Sequence, residues 1–135
     1  MNKSSFNFVR KLITMLKHIA LTVNDAAEIK NFYENVLLFC LKQKHSVDGE
    51  VISQIFDLRR ATDIYIMEQH DVQFEIFISP EKERKVFSHV CLVYRNAEVI
   101  YNNGLKQGYK VIIKKNPGSD TYFIWDKSGN IFEIK

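Results

Sequence analysis

The tripeptide Phe-Glu-Ile occurs twice, at Phe74–Ile76 within VQFEIFI (72–78) and at Phe132–Ile134 within the closing NIFEIK (130–135). Each copy sets a carboxylate between two large apolar side chains. In a strand, successive residues point to opposite faces, so Phe and Ile share one face and Glu takes the other. Twin acids in twin settings suggest a duplicated unit in which each glutamate has a task, although two solvated strand glutamates give the same pattern.

Working outward, the stretch MLKHIALTV (15–23) alternates, with Ile19, Leu21 and Val23 on one face and His18, Ala20 and Thr22 on the other. FSHVCLVY (87–94) repeats that layout, with Val90 and Leu92 against His89, Cys91 and Val93. A helix is predicted after each. Residues 26–38 carry Ile29, Phe32, Tyr33, Val36 and Leu37 at helical spacing behind a cap from Asn24 or Asp25. Ala97, Ile100, Tyr101, Gly104 and Leu105 do the same in the second half, and Gly108 is placed to end that helix in a left-handed conformation. Further strands are predicted over 39–47, 63–68 and 72–78, the last two joined at Gln69-His70-Asp71, and over 109–115, 121–126 and 130–135, the last two hinged at Lys127-Ser128-Gly129. Asp48–Leu58 holds Val51, Ile52, Ile55 and Phe56 at helical spacing and reads as an inserted short helix. The expected fold is α+β: modules over 15–78 and 87–135, a charged linker over 79–86 containing SPEKERK, and one structural domain overall.

With 135 residues, 46% of them hydrophobic, the chain has enough apolar material for one well-packed core. Its net charge of +3 equals the charge of Lys3, Arg10 and Lys11, so the body is neutral, no basic stripe remains, and nucleic acid is not an expected partner. Cys40 and Cys91 form neither a disulfide framework nor a metal-spacing pair, which fits a reducing, cytoplasmic setting. No apolar run approaches membrane-spanning length, and residues 1–14 read as a dispensable, disordered leader or an upstream start.

The layout resembles the vicinal oxygen chelate superfamily, whose members include glyoxalase I, methylmalonyl-CoA epimerase, extradiol dioxygenases and bleomycin-resistance proteins. The resemblance runs over residues 16–135 and is carried by KHIALTV, by the helix ending FYENVLLF, and by WDKSGNIFEIK. It implies two βαβββ modules forming an open, cup-shaped, eight-stranded mixed sheet, with helices on the convex side and one divalent metal ion in the cup. The implied ligands are His18, Glu75, His89 and Glu133, the pattern of glyoxalase I. Parity agrees, because each candidate lies on the face opposite the residues that pack under the helices. Four polar groups facing one cup are costly to bury apart, and a metal satisfies all of them together. Two imidazoles and two carboxylates suit zinc, nickel, cobalt, manganese or iron.

The implied chemistry is that of a metal-dependent lyase or isomerase. A small substrate with vicinal oxygens forms an enediolate, Glu133 serves as base, and Glu75 is the second catalytic carboxylate. Glutathione is not implied, because no arginine follows His18 closely in HIALT. Two alternatives share the fold: an antibiotic-binding resistance protein, and a non-haem iron dioxygenase using His18, His89 and Glu133. Strand residues Tyr65, Met67, Phe77, Phe123 and Trp125 are candidates for lining the cup, although aromatic content in strands is more often simply core. A homodimer is expected, since open cups leave sheet edges and apolar rims that a second copy covers.

Overall fold

Both halves of the chain arrive at the same strand order. The computed structural model describes residues 14–58, 60–80 and 88–135. Leader residues 1–13 and most of the linker therefore lie outside the described residues. In the first half β1 (Ile19–Val23), β2 (Cys40–Val47), β3 (Thr62–Gln69) and β4 (Val72–Ile78) form a sheet of order β1-β4-β3-β2. In the second, β5 (Val90–Leu92), β6 (Val111–Lys114), β7 (Thr121–Trp125) and β8 (Ile131–Ile134) form β5-β8-β7-β6. The eight strands thus fall into two four-stranded mixed sheets. β1 runs parallel to β4, and β5 parallel to β8. β1, β5 and β6 are shorter than the alternation suggests.

Register carries the parity argument into space. Ile19 lies beside Phe74 and Ala20 beside Glu75, while Cys91 lies beside Glu133 and Leu92 beside Ile134. Apolar residues of neighbouring strands therefore share one face, and the glutamates share the other. Phe74, Ile76, Phe132 and Ile134 have no exposed surface and belong to a single core that draws on both halves. Tyr65 and Met67 stand on this core side, so they are packing residues and not part of the cup lining.

The first helix, α1 (Ile29–Glu34), departs from the expected α-helix over 26–38. It is wound as a π-helix, with Asn35 N–H donating to Lys30 O at 3.0 Å and Leu37 N–H to Phe32 O at 3.1 Å. Asp25 supplies its entry, accepting from Ala27 N–H at 2.9 Å. The segment ends at Leu38, a non-glycine residue at φ 63°. Its expected stripe is nevertheless buried, because the wider turn still keeps Phe32, Tyr33, Val36 and Leu37 on one side. Phe32 and Tyr33 reach Phe132 at ring-centre distances of 5.5 and 5.9 Å, and Tyr33 reaches Phe74 at 6.2 Å. One helix thus bridges the two sheets.

The second module's helix, α3 (Ala97–Lys106), follows the sequence closely. Gly108 takes φ 79°, and Tyr109 N–H closes the end on Gly104 O at 2.9 Å. Gly104 is required for contact: a Cβ there would stand 2.9 Å from Val111 Cγ1. The inserted helix α2 (Gly49–Phe56) begins at Asp48, whose carboxylate accepts from Glu50 and Val51 N–H groups at 3.0 Å. α2 lies outside the module pattern. Phe56 meets Phe77 edge-on at 5.4 Å, and Phe77 shares the Glu75 face, so α2 covers part of the cup side.

Candidate functional site

The four sequence-selected residues occur in two pairs. His18 stands immediately before β1, and its Nε2 lies 3.2 Å from Glu75 Oε2 on β4. His89 stands immediately before β5, and its Nε2 lies 3.5 Å from Glu133 Oε2 on β8. Each pair follows from a parallel ladder, which sets the residue before the first strand of a module beside the central glutamate of its last. All four side chains are partly exposed, the histidines 36% and 44%, the glutamates 24% and 21%. The acids are the better shielded members because their strands lie inside the sheets.

The surroundings of the pairs differ. Cys91 shares the Glu133 face, and its thiol is pushed up by burial and then by the adjacent carboxylate. Lys135 Nζ lies 3.8 Å from Glu133 Oε1. Phe123 lies opposite Glu133 across the β7–β8 ladder, and its ring centre is 6.4 Å from that of Trp125. Around Glu75 the same face carries Ala20 and Ile66. The second half therefore holds the more polar side of the candidate site.

The pairs do not converge within one chain. Among the described residues no three His, Cys, Asp or Glu side chains come together closely enough to hold a metal ion. Each half offers one imidazole and one carboxylate, a donor set that suits a divalent cation but supplies two of the three or four protein ligands such centres use. The donors fit a metal only if the two halves are combined.

Sequence reading did not single out a second polar cluster, beneath the turn between β7 and β8. Glu28 and Asp126 are 2% and 4% exposed. Glu28 accepts from the Tyr109 hydroxyl and from Lys127 N–H. Asp126 accepts from the Tyr33 hydroxyl at 2.9 Å, from Ser128 N–H at 3.0 Å and from Asn130 N–H at 2.8 Å. Burial pushes the Asp126 carboxyl up, and the hydrogen bonds from Asn130 and Tyr33 pull against that shift. Asn130 Nδ2 also donates to Thr22 O at 2.8 Å, while Asn24 N–H donates to Ser128 Oγ at 2.9 Å. These bonds fasten the second module's last turn to the first module's first strand. The available signal was Asp126-Lys127-Ser128-Gly129-Asn130, a turn with Gly129 at φ 92°.

A family model described as the Glyoxalase/Bleomycin resistance protein/Dioxygenase superfamily matches residues 15–134. No curated protein sequence matches the chain. Solved structures do. A glyoxalase family protein from Enterococcus faecalis superposes with TM-score 0.69 at 17% identity, covering 91% of this chain and 98% of its own. The fosfomycin resistance protein FosX from Listeria monocytogenes, in hexagonal form, gives 0.69 at 13%, covering 90% and 92%. A mutant of that FosX complexed with Mn(II) and 1S,2S-dihydroxypropylphosphonic acid gives 0.68 at 16%, covering 90% and 91%. At these identities the likeness is one of fold.

Proposed function

The chain belongs to the glyoxalase/bleomycin resistance protein/dioxygenase superfamily, and from that premise we propose a metal-dependent lyase or isomerase acting on a small molecule with two adjacent oxygens. His18 and Glu75 of one copy and His89 and Glu133 of a second would hold the metal, in a centre completed by homodimerisation. The observation that carries this reading is the repetition of the His–Glu pair at 3.2 and 3.5 Å, two pairs that do not come together as one ligand group among the described residues of a single chain. β1 and β5 end their sheets, which leaves the strands beside each pair open to a second copy. A bound divalent ion supplies Lewis acidity toward a carbonyl oxygen.

Protein groups do the rest. Glu133 is the base: it takes a proton from the carbon next to a carbonyl and returns it to the neighbouring carbon, the task for which a carboxylate on the cup face is placed. Phe123 and Trp125 beside it exclude water from the carbon that loses the proton. Glu75, flanked by Ala20 and Ile66, orients without a comparable polar neighbourhood. The Mn(II) complex of the FosX mutant supports manganese as the first ion to test.

Mixing two single variants tests the composite centre. If the ligands come from two copies, His18→Ala and His89→Ala chains each lose activity, and co-refolding restores about a quarter of the parent sites, because half the dimers are mixed and each mixed dimer has one intact site. No recovery in a dimeric mixture refutes the shared centre. Glu133→Gln lowers turnover on the order of 10²-fold while metal still binds, and parent-like turnover removes Glu133 as base. Ligand retention without turnover across a dicarbonyl-and-thiol screen would instead support the antibiotic-binding reading.

A further inference from the structure

Backbone polar groups alternate between the two sides of a strand, and β1 shows the alternation in its own bonds. Val23 O accepts from Ser79 N–H at 2.8 Å, on the side of β4, while Thr22 O accepts from Asn130 Nδ2 at 2.8 Å on the other side. Asn24 N–H, which donates to Ser128 Oγ at 2.9 Å, also faces that other side. Ala20 has the parity of Thr22 and Asn24, so its N–H and C=O point away from β4, where β1 ends its sheet. The turn between β7 and β8 therefore caps Thr22 O and Asn24 N–H. Among the described residues no hydrogen bond reaches Ala20 on that side.

A cavity of about 740 Å³ lies along this edge, lined by β1 and by Ser128, Gly129 and Asn130. Ile52, Phe56, Leu58 and Phe77 supply apolar lining. Phe77 is the ladder partner of Thr22, on the face that Ala20 also takes, and Phe56 of α2 meets it edge-on at 5.4 Å. Phe56 and Leu58 remain 48% and 43% exposed. An edge residue with both backbone groups open exchanges two hydrogen bonds with an extended partner residue, whose side chain then lies on the same face. At Ala20 that face is the one carrying Phe77. Within β1 the residue after next, Thr22, has its carbonyl already taken, so the open edge accommodates one residue and not a long chain. The volume is in the usual range for a small-molecule site.

We propose that this cavity binds a small, neutral, peptide-like molecule. One capped residue donates its amide N–H to Ala20 O, accepts from Ala20 N–H at its own carbonyl, and lays an apolar side chain against Phe56, Leu58 and Phe77. The inference goes beyond the metal-centre reading and does not rest on it. A second copy reaching His18, which precedes β1, need not cover Ala20.

Full-length, metal-free protein, with all four proposed metal ligands intact, is titrated by calorimetry and by amide resonance shifts. The ligands are N-acetylphenylalanine methylamide, its alanine counterpart, and the ester analogue in which the acetyl-bearing N–H is replaced by oxygen. The ester should bind about fivefold or more weakly than the amide, and the alanine compound about tenfold or more weakly. Ala20→Pro is compatible with an edge strand because the lost N–H faces away from β4, and it should weaken the phenylalanine ligand about fivefold or more. Phe56→Ala should narrow the gap between the phenylalanine and alanine ligands to less than about threefold. Equal affinity for amide and ester, parent-like affinity in folded Ala20→Pro, or an unchanged gap in folded Phe56→Ala overturns the proposal. So does the lack of saturable binding by the phenylalanine compound below about 10 mM. A pentapeptide with the same central residue should bind within about threefold of the capped residue, and binding about tenfold tighter assigns the edge to a longer chain instead. If neither variant folds, the parent decides: the Ala20 amide resonance must shift on saturation, and shifts confined elsewhere overturn the assignment. Manganese uptake by the same samples reports separately on the metal centre.

Discussion

Replacing Tyr33 with Phe removes one oxygen from a ring that has no exposed surface. That hydroxyl donates to Asp126 Oδ2 at 2.9 Å. A hydrogen bond to a charged group contributes about 1.5–3 kcal/mol. Asp126 keeps its donors from Ser128 and Asn130, which places the expected loss in the lower part of that range, about 2 kcal/mol. The ring contacts with Phe74 and Phe132 survive, so no cavity term is added. For a chain of this length 1 kcal/mol moves the melting point by roughly 3–6 °C, and Tyr33→Phe should melt roughly 6–12 °C below the parent at neutral pH. Urea unfolding followed by circular dichroism should show a lower midpoint with an unchanged slope. The pH dependence supplies the sharper check. Burial raises the Asp126 carboxyl, so the folded state binds this proton more readily than the unfolded state. The contribution of this group to stability is therefore greatest below the ordinary carboxylate value and declines as pH rises through the raised folded value. The Tyr33→Phe penalty should shrink on acidification, because the lost donor then faces a neutral acid, and Asp126→Asn should lack this part of the parent's slope. A melting shift under about 2 °C, or an Asp126→Asn profile parallel to the parent's across that window, refutes the assignment of Asp126 as a buried, charge-accepting hub.

Other substitutions probe the backbone. Leu38 holds φ 63° and is 45% exposed, so Leu38→Gly should raise stability by about 1 kcal/mol, read as a higher urea midpoint. Gly104→Ala should lose about 1 kcal/mol despite alanine's better helix propensity, because the new Cβ would lie 2.9 Å from Val111 Cγ1. A gain in its melting temperature would show that β6 yields to α3.

Much of the fold was legible because period-two alternation fixes which face a strand residue takes. Glu75 and Glu133 were assigned their faces from Phe and Ile on either side, and the ladders keep them there. Parity gives no distance across a chain, however, so it could not tell one four-ligand cup from two separated pairs. The winding of α1 was equally hidden, because a stripe such as Ile29, Phe32, Tyr33 and Val36 satisfies either helix. Glu28 and Asp126 escaped notice because acidic residues usually face water; their burial depends on Tyr109 and Tyr33, partners far away in sequence.

The bridging position of α1 has a consequence for biosynthesis. Tyr33 finds its hydrogen-bond partner 93 residues downstream, and Phe32 rests on Phe132 in the last strand. At about 5–20 residues per second of translation, the inner face of that helix waits roughly 5–20 s for its cover. During that interval the nascent chain displays Phe32 and Tyr33 to solvent. Holdase chaperones should therefore engage ribosome-bound intermediates that stop short of β8 and release them once that strand has emerged.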